Sequence, residues 1–348
     1  MSDPKDPGLT YRDAGVDIDA QDEGLRRIKS MLLATRTKGV LADLGSFGGM
    51  FAPDLKGVAE PVLVASCDGV GTKLKVAFMT GVHDTVGRDL VNHCVNDILV
   101  QGASPLFFLD YVATGKLSPS VLAAIVEGVA NGCRENGCAL LGGETAEMPG
   151  FYADGEYDVA GFVVGMVDKK RIIDGRKIVP GDVLYALPSA GLHTNGYSLA
   201  RKIFFDVAGK TPSDGVLELP VTIGEALLAE HRSYLGALRG AIDQGLVRGL
   251  AHITGGGLTD NVPRILPDNV DAKIERGSWP VLPVFIALQR LGRVADDEMY
   301  RAFNMGAGMV CVIDPAVAVA FESQLDAAGE RHFPIGTIVP GTGRVVYA

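Results

Sequence analysis

Between Asp22 and Arg36 the apolar positions fall three or four residues apart, with Leu25, Ile28, Leu32 and Leu33 on one stripe and Lys29 beside it. This spacing predicts an amphipathic helix. Asp84 to Ala103 repeats the period, turning Leu90, Val91, Cys94, Val95, Ile98 and Leu99 inward and Asp89, His93, Asn96 and Asp97 the other way. Short unbroken apolar runs of strand type alternate with such segments: VLVAS at 62–66, PLFFLDYVA at 105–113 and DVAGFVVGMV at 158–167. A helix is predicted from about Ser118 to Asn136, followed by CALLGGETAEMPG, a strand running into glycines and carboxylates.

The turn-rich segment DGRKIVPGD (174–182) interrupts this alternation and places a domain boundary near residue 172. Beyond it, DVLYALPS reads as a strand, the loop AGLHTNG follows, and YSLARKIFFDVAG reads as a helix. Helices are predicted between Thr222 and Gln244 and between Pro283 and Phe303. The strands GMVCVID, FPIGTIV and GRVVYA close the chain around the helix AVAVAFESQLDAAG. The expectation is a mixed α/β (α+β) protein of two domains, 1–172 and 173–348, each long enough for its own core.

The composition narrows the function classes. No stretch reaches the roughly 18 to 20 apolar residues of a membrane span, and MSDPKDPGLTYRDAG at the start has no apolar signal core. The five cysteines, Cys67, Cys94, Cys133, Cys138 and Cys311, are odd in number and sit mostly in apolar periodic segments. Buried free thiols and a reducing cytoplasm are therefore expected. A net charge of −10 argues against nucleic acid as a partner, since that binding rests on Lys and Arg contacts to phosphates. An anionic small molecule would need backbone N–H groups or a divalent cation to offset the repulsion.

Glycine supplies such groups. There are 45 glycines in 348 residues, against a usual share of about 7%, and they cluster: GSFGG at 45–49, DGVGTK at 68–73, GGETAE at 142–147 and TGGG at 254–257. One such loop is an ordinary turn, but four together, three of them after strand-like runs, point to a phosphate-rich ligand. DGVGTK fits neither the P-loop nor the dinucleotide-binding fingerprint. Asp68, Asp97 and Glu144 lie next to these loops, and one or two carboxylates with substrate phosphates complete a Mg²⁺ octahedron. Each is also readable as a solvated surface carboxylate, as Lys29 and Lys73 are as surface lysines. His193 lies in a loop of small polar residues, where a backbone-satisfied turn histidine and a catalytic one are equally natural; His93 and Asp97, four residues apart on a helix, read as a structural pair.

The ordered series AGVDIDAQDEGLRRIK, DGVGTKL, CVNDILVQGASPLFFLDYVATGK, GGETAEMPG, HTNGYSLARK, HITGGGLTDNVPRILP and FNMGAGM spans nearly the whole chain. It resembles the phosphoribosylformylglycinamidine cyclo-ligase family, also called aminoimidazole ribonucleotide synthetases, within a wider superfamily of related ATP-binding proteins. DGVGTK marks that superfamily; GGETAEMPG and HTNGYSLARK mark the cyclo-ligases. Ser46 stands where the family more often has glycine, and Gln21-Asp22 departs from its usual turn.

The resemblance implies an N-terminal ATP-binding domain whose sheet pairs with that of a second subunit in a homodimer, and a C-terminal α/β domain. It implies ATP and Mg²⁺, with Asp68, Asp97 and Glu144 at the metal. Lys29, Gly45, Ser46, Gly48, Gly49, Asp68, Gly69, Gly71, Thr72, Lys73, Asp97, Gly143 and Glu144 are expected around the nucleotide. Thr145, Glu147, Met148, His193, Asn195, Thr254, Gly255 and Gly256 are expected near the substrate, formylglycinamidine ribonucleotide. Asp68, Lys73 and His193 are the expected catalytic groups, His193 for proton transfer. The expected reaction converts a formamide oxygen to phosphate and closes an imidazole ring. Rival activities on the same scaffold are disfavoured, because no cysteine precedes Cys67 and the chain ends RVVYA; a non-catalytic nucleotide-binding module is the reading of a different class.

Overall fold

The computed structural model describes residues 9–41 and 47–348. Two sheets organise the chain. The first has four strands, β1 (Pro61–Gly69), β2 (Ser104–Thr114), β3 (Ala139–Glu147) and β4 (Tyr157–Asp168), in the order β1-β4-β2-β3. β4 is antiparallel to both β1 and β2, whereas β2 and β3 run parallel, joined by a helical crossover.

Four helices shape this half: α1 (Ile18–Ala34), α2 (Lys73–Thr80), α3 (Asp84–Leu99) and α4 (Pro119–Glu135). α1 begins earlier than its apolar stripe predicts because Asp17 caps it, accepting from the N–H groups of Asp19 and Ala20. α3 and α4 cross with their backbones in contact. A Cβ on Gly87 would stand 2.1 Å from the Ile125 carbonyl oxygen, and one on Gly128 1.8 Å from that of Asp84. α3 covers one face of the sheet, packing on β1, β4 and β2. The residues of β1 that alternate with its covered ones, Leu63, Ala65 and Cys67, are exposed, and Phe162 beside Cys67 on β4 is exposed too. Cys67 is thus an exception to the expected burial; the other four cysteines are buried free thiols.

The second sheet has six strands, β5 (Val183–Pro188), β6 (Val247–His252), β7 (Val270–Ile274), β8 (Ala307–Ile313), β9 (Phe333–Pro340) and β10 (Val345–Tyr347), ordered β10-β7-β9-β5-β8-β6. Only β10 and β7 pair in parallel. β8 is buried along its whole length, as its unbroken apolar sequence requires. After β5 the chain turns through a loop into α5 (Tyr197–Arg201), which continues as a wider π-type turn over Lys202–Val207.

Candidate active site

β1 extends past the predicted VLVAS run to Gly69, so Asp68 is a strand residue, on the same face as Ser66. α3 lies over that face and delivers Asp97 to it. Ser66 Oγ donates to Asp97 Oδ2 at 3.0 Å. His93, one turn before Asp97, reaches Asp68 instead: its Nε2 is 2.8 Å from Asp68 Oδ2 and 3.6 Å from Asp97 Oδ2. The predicted His93–Asp97 pairing is therefore secondary to a His93–Asp68 bond. His252, at the end of β6, places Nδ1 2.8 Å from Asp97 Oδ1.

Each carboxylate is thus oriented by a buried imidazole while remaining open to solvent, Asp68 at 48% and Asp97 at 27% of its side chain. Burial alone raises both carboxyls, yet the hydrogen bond and charge of His93 at Asp68, and those of His252 at Asp97, outweigh it and hold both below the ordinary range. Burial likewise lowers His93, but Asp68 and Asp97 more than reverse it and favour its cation. Asp68 and Asp97 open on a cavity of about 650 Å³ between the two domains, whose far wall carries Thr254, Asn261 and Arg264. Two ionised carboxylates with free lone pairs, aimed into a polar cavity, suit a hard divalent cation.

A second cavity, about 890 Å³, lies along α1, β2 and β3 and takes in Lys29, Gly48, Gly49, Gly143, Glu144 and Thr145. Gly49 and Gly143 are required here by close approach: a Cβ on Gly49 would meet Leu141 at 2.4 Å, and one on Gly143 would meet Asp110 Oδ1 at 1.9 Å. Gly45 and Ser46 lie outside the described residues. Asp110 on β2 also lines this cavity, and burial without a counter-charge pushes its carboxyl up to about 7.

Glu144 is not brought to Asp68. Across the sheet, Asp68 pairs with Gly161, Gly161 with Asp110, and Asp110 with Gly143, the residue before Glu144. Three strand spacings amount to about 14 Å, so within one chain the expected three-carboxylate cluster is corrected to a two-carboxylate site, with Glu144 in the second cavity.

Two further expectations are corrected by burial. Lys73 carries no solvent-facing charge for a phosphate: its Nζ is 2.6 Å from Asp89 Oδ2, with both side chains fully buried, and it donates to the carbonyls of His193 and Ala229. DGVGTK leads into α2, and the helix turns Lys73 inward while Gly71 and Thr72 stay exposed. His193 is fully buried with φ of 61° and is absent from the walls of both cavities. Burial, then the neighbouring His252 and Lys73 charges, depress its basicity far below the ordinary histidine value, so it is not placed to move a proton at a reacting group. The imidazoles on the interdomain wall are His93 and His252.

Several remaining positions have defined local roles. Both oxygens of Glu147 accept from backbone, Asp17 N–H and Leu117 N–H, each at 2.7 Å, which ties α1 to the loop before α4. Met148 Sδ accepts from the Tyr111 hydroxyl. Gly69 N–H donates to Asp68 Oδ1 at 2.7 Å, and Thr72 Oγ1 lies 3.2 Å from Ser198 Oγ. Asn195 Oδ1 faces Gly255, Thr254 Oγ1 donates to Asn261 Oδ1, and Gly256 takes a left-handed φ of 94°. Asp110, His231 and His252 were not singled out by pattern; a lone carboxylate inside PLFFLDYVA and the histidine just ahead of TGGG were the available signals.

Residues 55–167 match the family described as AIR synthase related protein, N-terminal domain, and residues 179–348 match AIR synthase related protein, C-terminal domain. The phosphoribosylformylglycinamidine cyclo-ligase of Desulfitobacterium hafniense (strain DSM 10664 / DCB-2) is 53% identical over 334 residues, covering 95% of this chain and 97% of the relative. That of Syntrophotalea carbinolica is 52% identical over 338 residues, covering 97% and 96%. Among solved structures, a thiamine-monophosphate kinase from Stenotrophomonas maltophilia K279a aligns with a TM-score of 0.65 at 18% identity over 93% of this chain and 95% of that one. A hydrogenase maturation protein solved in complex with ATP aligns with a TM-score of 0.61 at 18% identity over 98% and 92%.

Proposed function

The chain belongs to the AIR synthase related family and, within it, to the phosphoribosylformylglycinamidine cyclo-ligases, and we propose that its chemistry takes place in the interdomain cavity walled by Asp68, Asp97 and His252. The reaction is the ATP-dependent closure of formylglycinamidine ribonucleotide to 5-aminoimidazole ribonucleotide in purine biosynthesis, with release of ADP and phosphate. A formamide carbonyl is a poor electrophile and its oxygen a poor leaving group. Transfer of the ATP γ-phosphoryl group to that oxygen makes an imidoyl phosphate; an amidine nitrogen then attacks the activated carbon, and phosphate and a proton leave.

The observation that carries the site is the pairing of Asp68 from β1 with Asp97 from α3, each fixed by its own imidazole and open to the same cavity. These two carboxylates would hold Mg²⁺, which when bound neutralises phosphate charge. His93 and His252 keep them oriented. Thr254 stands across the cavity, and we assign it, with Asn195, Gly255 and Gly256 next to it, to the ribonucleotide and its phosphate. We assign nucleotide contacts to the second cavity, with Lys29 at its mouth and Gly48, Gly49, Gly143, Glu144 and Thr145 along its wall. The ring closure is itself intramolecular, so folding the ribonucleotide over in the interdomain cavity supplies the proximity it needs.

The organisation follows the same reading: an ATP-binding and dimerisation domain over residues 1–172, a C-terminal domain over 173–348, a homodimer formed through the open sheet face, and a cytoplasmic setting. Among the described residues no helix is long and apolar enough to cross a membrane. The test is purified protein with Mg-ATP and formylglycinamidine ribonucleotide, following ADP and aminoimidazole ribonucleotide in one sample. Equal amounts of both are expected; ADP without imidazole would assign the ATP scaffold to another acceptor.

A further inference from the structure

Behind the carboxylate wall stands a cluster of imidazoles, of which the reaction above uses only His252, through its Nδ1 on Asp97. His193 comes from the loop after β5, His231 from the loop after the helix Ile223–Leu228, and His252 from the end of β6. All three are buried, and one nitrogen from each lies within 4.8 Å of the other two. We propose that His193, His231 and His252 form a binding site for one divalent transition-metal ion of the zinc class, separate from the carboxylate site for Mg²⁺.

The nitrogens are already sorted into holding and donating sides. His252 Nδ1 is engaged by Asp97 and His231 Nδ1 by Thr194 Oγ1 at 3.3 Å, which leaves the Nε2 atoms of both rings facing each other at 2.9 Å. Without a cation, one proton must sit between those two nitrogens. Two zinc–nitrogen bonds of about 2.0–2.1 Å at a tetrahedral angle separate the nitrogens by about 3.3 Å, so an ion replaces that proton with a movement of a few tenths of an ångström. A carboxylate behind a ligating imidazole, as Asp97 is behind His252, fixes the ring and strengthens it as a ligand.

The third ring supplies an independent sign. His193 stacks on His231 with ring centroids 4.0 Å apart, so its ring must turn out of the stack to face an ion shared with His231; its Nδ1 is buried with no hydrogen-bond partner among the described residues. Nearly all buried polar atoms find a partner, so an orphaned imidazole nitrogen beside two others marks a place where something binds. Coordination there moves the ring proton to Nε2 and gives up the 3.2 Å contact from the Ala190 N–H, a minor loss beside a metal–nitrogen bond.

Charge and access are also met. Asp97 backs His252, and Asp89 Oδ1 accepts the His231 backbone N–H at 2.6 Å; the cations nearby are each paired, Lys73 with Asp89, His93 with Asp68 and Arg232 with Glu330. The cluster lies between two cavities, the interdomain one that reaches His252 and a polar one of about 490 Å³ that reaches His231 beside Asn92 and Ala190. Imidazole ligands select zinc, cobalt, nickel or copper over magnesium, which keeps to oxygen.

The experiment uses the full chain with no tag histidines, stripped with chelator and dialysed against Zn²⁺ or Co²⁺ in excess Mg²⁺. One metal per chain is expected, with a tetrahedral Co²⁺ absorption spectrum and imidazole scattering in X-ray absorption at the zinc edge. His231→Gln should weaken zinc by about 10- to 100-fold or more, and His332→Gln, outside the cluster, should leave it unchanged. If wild type retains no metal, or if His231→Gln and wild type retain it equally, the proposal is wrong. Should His231→Gln fail to fold, the wild-type cobalt spectrum and zinc-edge scattering decide alone: octahedral oxygen coordination would overturn the site.

Discussion

Lys73 Nζ stands 2.6 Å from Asp89 Oδ2 with neither side chain exposed, and this ion pair joins α2 and α3 to the second domain, because Lys73 also donates to the His193 and Ala229 carbonyls and Asp89 accepts from His231 N–H. Removing one partner leaves an uncompensated buried charge, which costs about 3–5 kcal/mol. Lys73→Met should therefore lower the unfolding free energy by that amount in denaturant titrations. Lys73→Met with Asp89→Asn should recover most of it, since a neutral amide still accepts from His231. A Lys73→Met protein of wild-type stability that has lost ATP turnover would return Lys73 to the phosphate role.

The carboxylate site yields the complementary expectation. Asp68 is half exposed and, among the described residues, bonded only to His93 and to its neighbour Gly69 N–H, so Asp68→Asn should leave the melting temperature nearly unchanged. Its kcat should fall by the equivalent of about 2.7–4 kcal/mol, the scale for losing one preorganised electrostatic group. Unchanged kcat in the folded variant would remove Asp68 from the metal site.

These two residues, five positions apart, show what was legible in the sequence. The apolar periods located α1, α3 and α4, the strands of the first sheet and β5, β8, β9 and β10 of the second, because each element buries one face. They also placed Asp97 on a helix beside the glycine loops. Lys73 was misread because DGVGTK ends in a helix start, and whether a lysine there faces solvent or core depends on Asp89, far from it in pattern though near in space. The His252–Asp97 bond spans 155 residues, and the union of Asp68 with His93 depends on how α3 crosses β1. Such meetings are set by packing between elements, to which a local period is blind. Glu144 was misplaced for the same reason: strand order, β1-β4-β2-β3, decides that distance.

Asp110 gives a pH dependence. Its carboxyl is pushed up to about 7 by burial from an ordinary 3.8. Between those values the folded protein keeps a proton that the unfolded chain has lost, so this contribution to stability is full below about pH 4 and declines as pH rises towards 7. Asp110→Asn, a neutral isostere, removes the decline. The difference in melting temperature between Asp110→Asn and wild type should grow in favour of the variant from pH 5 to pH 8. A difference that stays constant would show that Asp110 is ionised throughout, held by a partner in the cavity.

The open sheet face makes the last prediction. Leu63 is 66% and Phe162 43% exposed, and in the register of β1 with β4 they share that face with Ala65, Cys67, Val164 and Met166. Covered on one side by α3, the sheet presents among the described residues a second apolar surface on which Leu63, Ala65 and Cys67 of β1 are exposed. Contiguous exposed apolar surface of this kind marks an interaction site, and a two-fold copy of the same sheet is self-complementary to it. Leu63→Asp puts a charge at the centre of such an interface without disturbing the monomer, since position 63 already faces solvent. Sedimentation velocity should find wild type at twice the chain mass of 36.6 kDa and Leu63→Asp at the chain mass, with an unchanged circular dichroism spectrum. Because Phe162 also lines the second cavity, dissociation should weaken ATP binding as well. A Leu63→Asp protein that remains dimeric would move the interface elsewhere, and wild type that sediments as a monomer would leave the sheet face without a partner copy.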